Sequence, residues 1–168
     1  VFTAHTLETA PPAAHSAMRA LQSTTGTVPD AVRRLAGSPE LLNGFLAMSA
    51  SFEGCTLDST AREVVIMTVA VRNDCHVCIA MHTGKLRKLG APPEIVSALR
   101  AAAPLPDARL EAIRVFTLDV LATAGGVDDA SVTAFMAQGY TERNALEVVL
   151  GIGTYTMSTL ANRLVRAA

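Results

Sequence analysis

The sequence predicts an all-α bundle, and three observations carry that prediction. Half of its 168 residues are apolar while only 4% are aromatic and tryptophan is absent; a composition weighted to alanine and leucine favours helix. Glycine and proline cut the chain into segments of helical length, and most segments open on a residue able to cap a helix. No alternating apolar–polar pattern competes for strand.

The elements follow in order. Pro11 and Pro12 precede a first helix to about Ser23, ended by Gly26. Pro29 opens a short helix to Ala36, stopped by Gly37. Ser38 caps a helix with Pro39 at its first position, where proline is tolerated, and that helix runs to Glu53 and Gly54. Asp58 caps the next, Ser59 to Arg72, which is apolar nearly all round and so reads as the central buried helix. Its β-branched residues would suit a strand, but helix signals bracket the run. Asp74 is expected to cap a helix to Leu89, ended by Gly90 and Pro92. Pro92 and Pro93 open a helix to about Ala102, which Pro104 and Pro106 break. Asp107 caps a helix to Ala124, Asp128 or Asp129 one to Gln138, and Thr141 the last, to Arg166. The chain is expected to form a single domain overall, with an N-terminal helical arm over residues 1–37 and a core over 38–168.

Charge and hydropathy exclude several function classes. A net charge of −1 leaves no basic footprint for nucleic acid. The longest largely apolar run, Val64 to Val71, is too short to span a bilayer, so no membrane association is expected. No basic region followed by an apolar stretch opens the chain, so no signal peptide is expected. Three cysteines do not make a disulfide scaffold in a chain this long. A cytoplasmic location is the simpler expectation, and there a CxxC pair is more often catalytic or metal-binding than structural.

The chemistry concentrates between Glu63 and His82. Cys75 and Cys78 lie three residues apart and His82 four further on, so all three share one stripe of a helix. Thiols at this spacing start about 5–6 Å apart at Cβ and can close a disulfide with local adjustment. Cys75 is expected in the first turn, where free N–H groups and the helix dipole favour an anion and lower a thiol pKa. His82 can relay a proton near neutral pH. Glu63 must lean across from the preceding helix. A thioredoxin-type motif would need a preceding strand, and haem attachment would need His where Ile79 stands. Zinc is a rival, with Cys75, Cys78 and His82 as ligands and Glu63 or His76 as the fourth, although no second ligand pair exists. Cys55, His5 and His15 carry no comparable signal. Arg72-Asn73-Asp74 reads as the junction that sets the CxxC geometry, Lys85, Arg87 and Lys88 as a solvated helix end, and the methionines as core filler.

Glu63, then eleven residues, then Cys75-His76-Val77-Cys78 and His82, resembles the core of the alkylhydroperoxidase AhpD-like proteins of the carboxymuconolactone decarboxylase superfamily. Ser38–Ser51 resembles the family's lead-in helix, Asp58–Asp74 its core helix, His82–Gly90 its motif extension, and Tyr155 with Asn162-Arg163-Leu164 its closing helix. The resemblance covers residues 38–168. It implies an oligomeric helical bundle with the CxxC motif at the N-terminus of a core helix. It also implies a thiol-dependent peroxidase or disulfide reductase acting on hydroperoxides. Cys78 would be the peroxidatic thiol, Cys75 the resolving one, and Glu63 and His82 the proton relay. No cofactor or metal is implied. The implied partners are a small hydroperoxide, an external dithiol reductant such as a lipoylated protein, and further copies of the chain. The founding peroxidase has His just before the second cysteine; here Val77 stands there and His is at 76, a displacement of about 100° around a helix.

Two other classes remain open on the same residues. A carboxymuconolactone decarboxylase-like enzyme would act on a small lactone acid with His82 and a carboxylate as acid and base, without needing the thiols. A redox-sensing or zinc-stabilised helical module would be non-enzymatic. Tyr155 and Asn162 would line either a pocket or an interface.

Overall fold

The computed structural model describes residues 2–168. Among these, a short 3₁₀ turn, Pro12–Ala14, leads into nine α-helices and no strand. They are α1 His15–Thr25, α2 Asp30–Leu35, α3 Pro39–Glu53, α4 Ser59–Arg72, α5 His76–Lys88, α6 Pro93–Arg100, α7 Ala108–Thr123, α8 Asp129–Ala137 and α9 Glu142–Leu164. The expected caps hold at most starts. The side chains of Ser38, Asp58, Asp107, Asp128 and Thr141 each accept a backbone N–H of the helix they open. At α9, Asn144 completes a reciprocal capping box with Thr141.

The start of α5 differs from expectation. Asp74 does not cap it. Asp74 sits in the left-handed region at φ 51°, and the N-cap position is Cys75, with extended backbone. The turn from α4 is tight: the Cys75 N–H donates to the Ala70 carbonyl and the Asp74 N–H to Val71. Reversing direction over three residues demands one positive φ, which aspartate tolerates better than most side chains. The junction Arg72-Asn73-Asp74 therefore sets where the first cysteine points, as its sequence suggests. From the other side, Asn73 donates to Thr159 and accepts from Arg163, both on α9.

Helix α4 is the axis of the core. Every residue from Glu63 to Ala70 is buried, with α5, α6, α7 and α9 packed around it and α3 closing one end. The main apolar cluster runs from Phe52 and Leu57 through the α4 valines to Phe116, Phe135, Tyr140 and Tyr155. Helix α9 crosses closely enough that Gly151 is required: a Cβ there would lie 2.6 Å from the Phe52 ring. The N-terminal residues form a second cluster, in which Ala14, Met18 and Leu35 pack on Leu42 of α3 and on Ala161 and Val165. The methionines divide. Met18 and Met67 fill core, but Met81 and Met136 are exposed, because they fall on the outer faces of α5 and α8.

Candidate functional site

Cys75, Cys78 and His82 occupy one stripe at the start of α5, and Glu63 reaches them from α4, as the spacing predicts. Both thiols are free and each is only 1% exposed. Their sulfurs lie 2.9 Å apart, so the Cys78 thiol can donate to Cys75. One turn further on, Nδ1 of His82 lies 2.6 Å from Oε2 of Glu63. With the carboxylate ionised, Nδ1–H donates to it, which fixes the imidazole tautomer and ring orientation. The ring is held from the side by Tyr155, edge-on at 5.4 Å between centroids. The Tyr155 hydroxyl pairs with Ser49 at 3.3 Å.

The thiols titrate as a pair. The S–H bond from Cys78 is the largest influence on Cys75. Burial opposes it, but the Cys78 backbone N–H and the positive charge of Arg163 add to it, and Cys75 is pulled down to about 6. The same S–H bond, together with burial, holds the second proton on Cys78 far above the ordinary thiol value. The reduced pair therefore carries one thiolate and one thiol near neutral pH, with the resting charge on Cys75 at the helix N-terminus. Cys78 has its own polar support: Nδ2 of Asn162 approaches its sulfur at 3.5 Å.

The other candidate residues separate from this centre. The side chain of His76 is 87% exposed and lies 3.8 Å from Asp74, so it does not stand in for an imidazole at position 77. Cys55 is half-buried, away from the pair, and burial raises its pKa. Zinc would need at least three donors around one point, and no such group of His, Cys, Asp or Glu exists among the described residues. No helix among them is long and apolar enough to cross a membrane.

Two residues that the sequence left between pocket and interface prove to be buried against the site: Tyr155 on His82 and Asn162 on Cys78. A third, Arg166, lies in a small cavity beside Cys75, with Asn162 and Arg163. Asn162 and Arg163 lie in the last turn of α9 and Arg166 beyond its end at φ 53°, so helical spacing does not relate them. Nothing in the sequence tied them to a motif more than eighty residues upstream.

Residues 39–118 match the family model of the carboxymuconolactone decarboxylase family. The fold extends the match over the whole chain. A crystal structure of an uncharacterised peroxidase-related protein with an alkylhydroperoxidase AhpD core, from Ralstonia eutropha JMP134, superposes with a TM-score of 0.84. The identity is 21%, over 97% of this chain and 88% of that one. Over residues 39–118 this chain is similar to the carboxymuconolactone decarboxylase family, and it takes the fold of an AhpD-core protein. A second structure of similar shape is an uncharacterised peroxidase-related protein from Silicibacter sp. TM1040, at TM-score 0.78 and 22% identity over 94% of this chain and 85% of that one. A protein of unknown function from Agrobacterium tumefaciens aligns at TM-score 0.65 and 16% identity, over 79% of this chain and 91% of that one. No functionally curated protein matches the sequence. At these identities the likeness shows the fold alone, and the chemistry must be argued from this chain's own side chains.

Proposed function

We propose that this protein is a thiol-dependent peroxidase that reduces hydroperoxides through the Cys75/Cys78 pair, with Glu63 and His82 as its proton relay. The observation that carries the reading is the combination of two free, buried thiols in sulfur contact and a buried His–Glu pair one helical turn away. A structural cysteine pair would need neither a depressed thiol pKa nor a neighbouring imidazole.

Cys78 is the attacking sulfur. The proton shared across the 2.9 Å contact passes to Cys75, and the charge moves to Cys78, where the Asn162 amide supports it. The thiolate attacks the distal oxygen of the hydroperoxide. The O–O bond breaks, and the alkoxide leaves as an alcohol with a proton supplied through His82. Cys78 is then a sulfenic acid. Cys75 attacks the Cys78 sulfur; the hydroxyl leaves, protonated, as water, and a disulfide forms. An external dithiol returns two electrons by exchange at the outer sulfur, Cys75, which releases Cys78 again as thiolate. A lipoylated protein is one such reductant.

The test is the intact mass of reduced protein after one equivalent of an organic hydroperoxide. Loss of two hydrogens in the wild type and a gain of one oxygen in Cys75→Ser are expected. A sulfenate that can be trapped in Cys78→Ser but not in Cys75→Ser would reverse the roles of the thiols. No mass change over minutes would remove the peroxidase reading.

One observation favours a second reading. Glu63 also lines a separate cavity of about 450 Å³, whose rim carries Arg62, Lys85 and Lys88. A small lactone acid placed there would meet Glu63, with His82 buried behind it, without touching the thiols. Turnover of such a lactone by the Cys75→Ser/Cys78→Ser double variant would establish decarboxylase-type chemistry.

Self-association belongs to the same proposal. Leu146, Val149, Leu160 and Leu164 leave an exposed apolar stripe along α9, more than a single small bundle normally presents to water. Light scattering at micromolar concentration should report a homo-oligomer, and a monomer would rule it out.

A further inference from the structure

The cavity beside Cys75 has a chemistry of its own. It holds about 230 Å³ and is lined by Asp74, Cys75, His76, Asn162, Arg163 and Arg166, with Val77 and Ala167 completing the wall. Cys75 is the only one of the two thiols on its lining. Three features suggest a ligand with a negative end and a proton to give.

The first is charge. Arg163 is committed in part: it donates to the Asn73 carbonyl and lies 3.7 Å from the Asp74 carboxylate. Arg166 forms no ion pair among the described residues. After Asp74 is set against Arg163, the cavity keeps one guanidinium uncompensated. The second is Asn162. It is more than nine-tenths buried, its Nδ2 lies 3.5 Å from both the Cys78 sulfur and the Ser158 hydroxyl, and its Oδ1 has no hydrogen-bond partner. A buried amide oxygen without a partner is costly, at about 1–3 kcal/mol, unless something that enters the site donates to it. The third is position: the cavity meets the thiol pair at its outer sulfur, on the side away from the Glu63 cavity.

We propose that this cavity is the substrate mouth of the thiol pair and selects hydroperoxides that carry a carboxylate. The carboxylate is held by Arg166, with Arg163 beside it, and the hydroperoxide O–H donates to Oδ1 of Asn162. The same amide then spans substrate and nucleophile, because its Nδ2 faces the Cys78 sulfur. The preference for anions rests on the cavity itself; that the ligand is a hydroperoxide rests on the peroxidase reading above.

Two measurements keep those parts distinct. The first is the alkylation of the reduced protein by iodoacetate, an anion, and by iodoacetamide, its neutral counterpart, with the modified cysteine located by peptide mass. The ratio of the two rates, normalised to that of a small free thiol, should exceed one for Cys75. It should fall about three- to fivefold in Arg166→Gln, the effect of one partly solvated charge at close range. Arg166→Lys should retain the ratio, and Arg87→Gln, at a distant cavity, should leave it unchanged. An unaltered ratio in Arg166→Gln would overturn the proposal. The second measurement compares a carboxylate-bearing alkyl hydroperoxide with its methyl ester. A higher kcat/KM for the acid, lost in Arg166→Gln, is expected. Equal use of both would overturn the substrate class while leaving the peroxidase reading intact. Consumption of neither, with the iodoacetate preference retained, would overturn the peroxidase reading and leave an anion-selective thiol.

Discussion

Two buried glutamates in this protein have opposite surroundings. Glu147, on α9, accepts from the backbone N–H groups of Thr56 and Leu57, the Thr56 hydroxyl, the Asn144 amide and the Arg143 guanidinium, all at 2.8–3.2 Å. Glu63, on α4, is equally buried, but among the described residues its one hydrogen-bond partner is His82. Burial alone would raise the carboxyl pKa of Glu147, yet its donors outweigh burial and hold it below the usual carboxylate value. A carboxylate with every lone pair engaged has no capacity left for proton transfer. One tied to a single imidazole and open to a cavity retains it. The difference distinguishes a carboxylate that anchors the α3–α4 loop to α9 from one left free for the proton transfer proposed above.

Removing the anchor should have the largest effect on stability. Glu147→Ala leaves two backbone N–H groups and the Asn144 amide without their acceptor, and the loss should be about 3 kcal/mol. In a chain of this length that lowers the melting midpoint by about 6–12 °C. The sign of the pH dependence follows from the depressed pKa. The Glu147 contribution is complete above the ordinary carboxylate value and is lost as pH falls through the folded value. The gap in stability between wild type and Glu147→Ala should therefore narrow in acid. Peroxide turnover per folded molecule should not change. A Glu147→Ala protein that melts normally but turns over poorly would collapse the contrast between the two carboxylates.

Glu63→Gln should do the reverse. The amide can still pair with His82, so the melting midpoint should move little. It cannot take up a proton, and turnover should fall about 100-fold, the usual scale for loss of a positioned acid–base group. Single-turnover formation of the Cys75–Cys78 disulfide is the readout. Unchanged kinetics would mean that the alkoxide leaves without a proton from the dyad.

The sequence exposed these two carboxylates unequally, for a physical reason. Glu63 stands at a fixed distance from a thiol motif on an adjacent helix, so local spacing brings it to His82. The Glu147 network joins residues ninety positions apart, and no short-range pattern marks it. The helix boundaries at Ser38–Gly54 and at Asp58 were legible because capping and termination are local chemistry. The start of α5 was not. Whether Asp74 caps a helix or takes a positive φ depends on how abruptly α4 must turn back, and that is decided by the packing of α4 and α5 against each other. The consequence reaches the site: Cys75 stands one position outside the helix, at the N-cap, where its carbonyl accepts the Ile79 N–H. Asn162, Arg163 and Arg166 join the site from the far end of the chain, and only the tertiary crossing of α9 over the α4–α5 junction brings them there.

The smallest expected effect marks where the proposed proton relay would end. Tyr155 is buried against His82, and burial pushes its phenol up to about 12. It would be a natural third member of the relay if its hydroxyl faced the dyad. Its hydroxyl instead pairs with Ser49 at 3.3 Å, while the ring edge packs on the imidazole. Its role is to hold the imidazole plane, and the ring alone does that. Tyr155→Phe should therefore cost about 1 kcal/mol of stability through the lost Ser49 bond. Disulfide formation should stay within about threefold of wild type, far short of the 100-fold expected for a group that moves a proton. Tyr155→Leu removes the aromatic edge and should slow the reaction more than Tyr155→Phe does. If Tyr155→Phe is as slow as Glu63→Gln, the hydroxyl belongs to the relay, and the path for protons continues through Ser49 rather than ending at the Glu63 carboxylate.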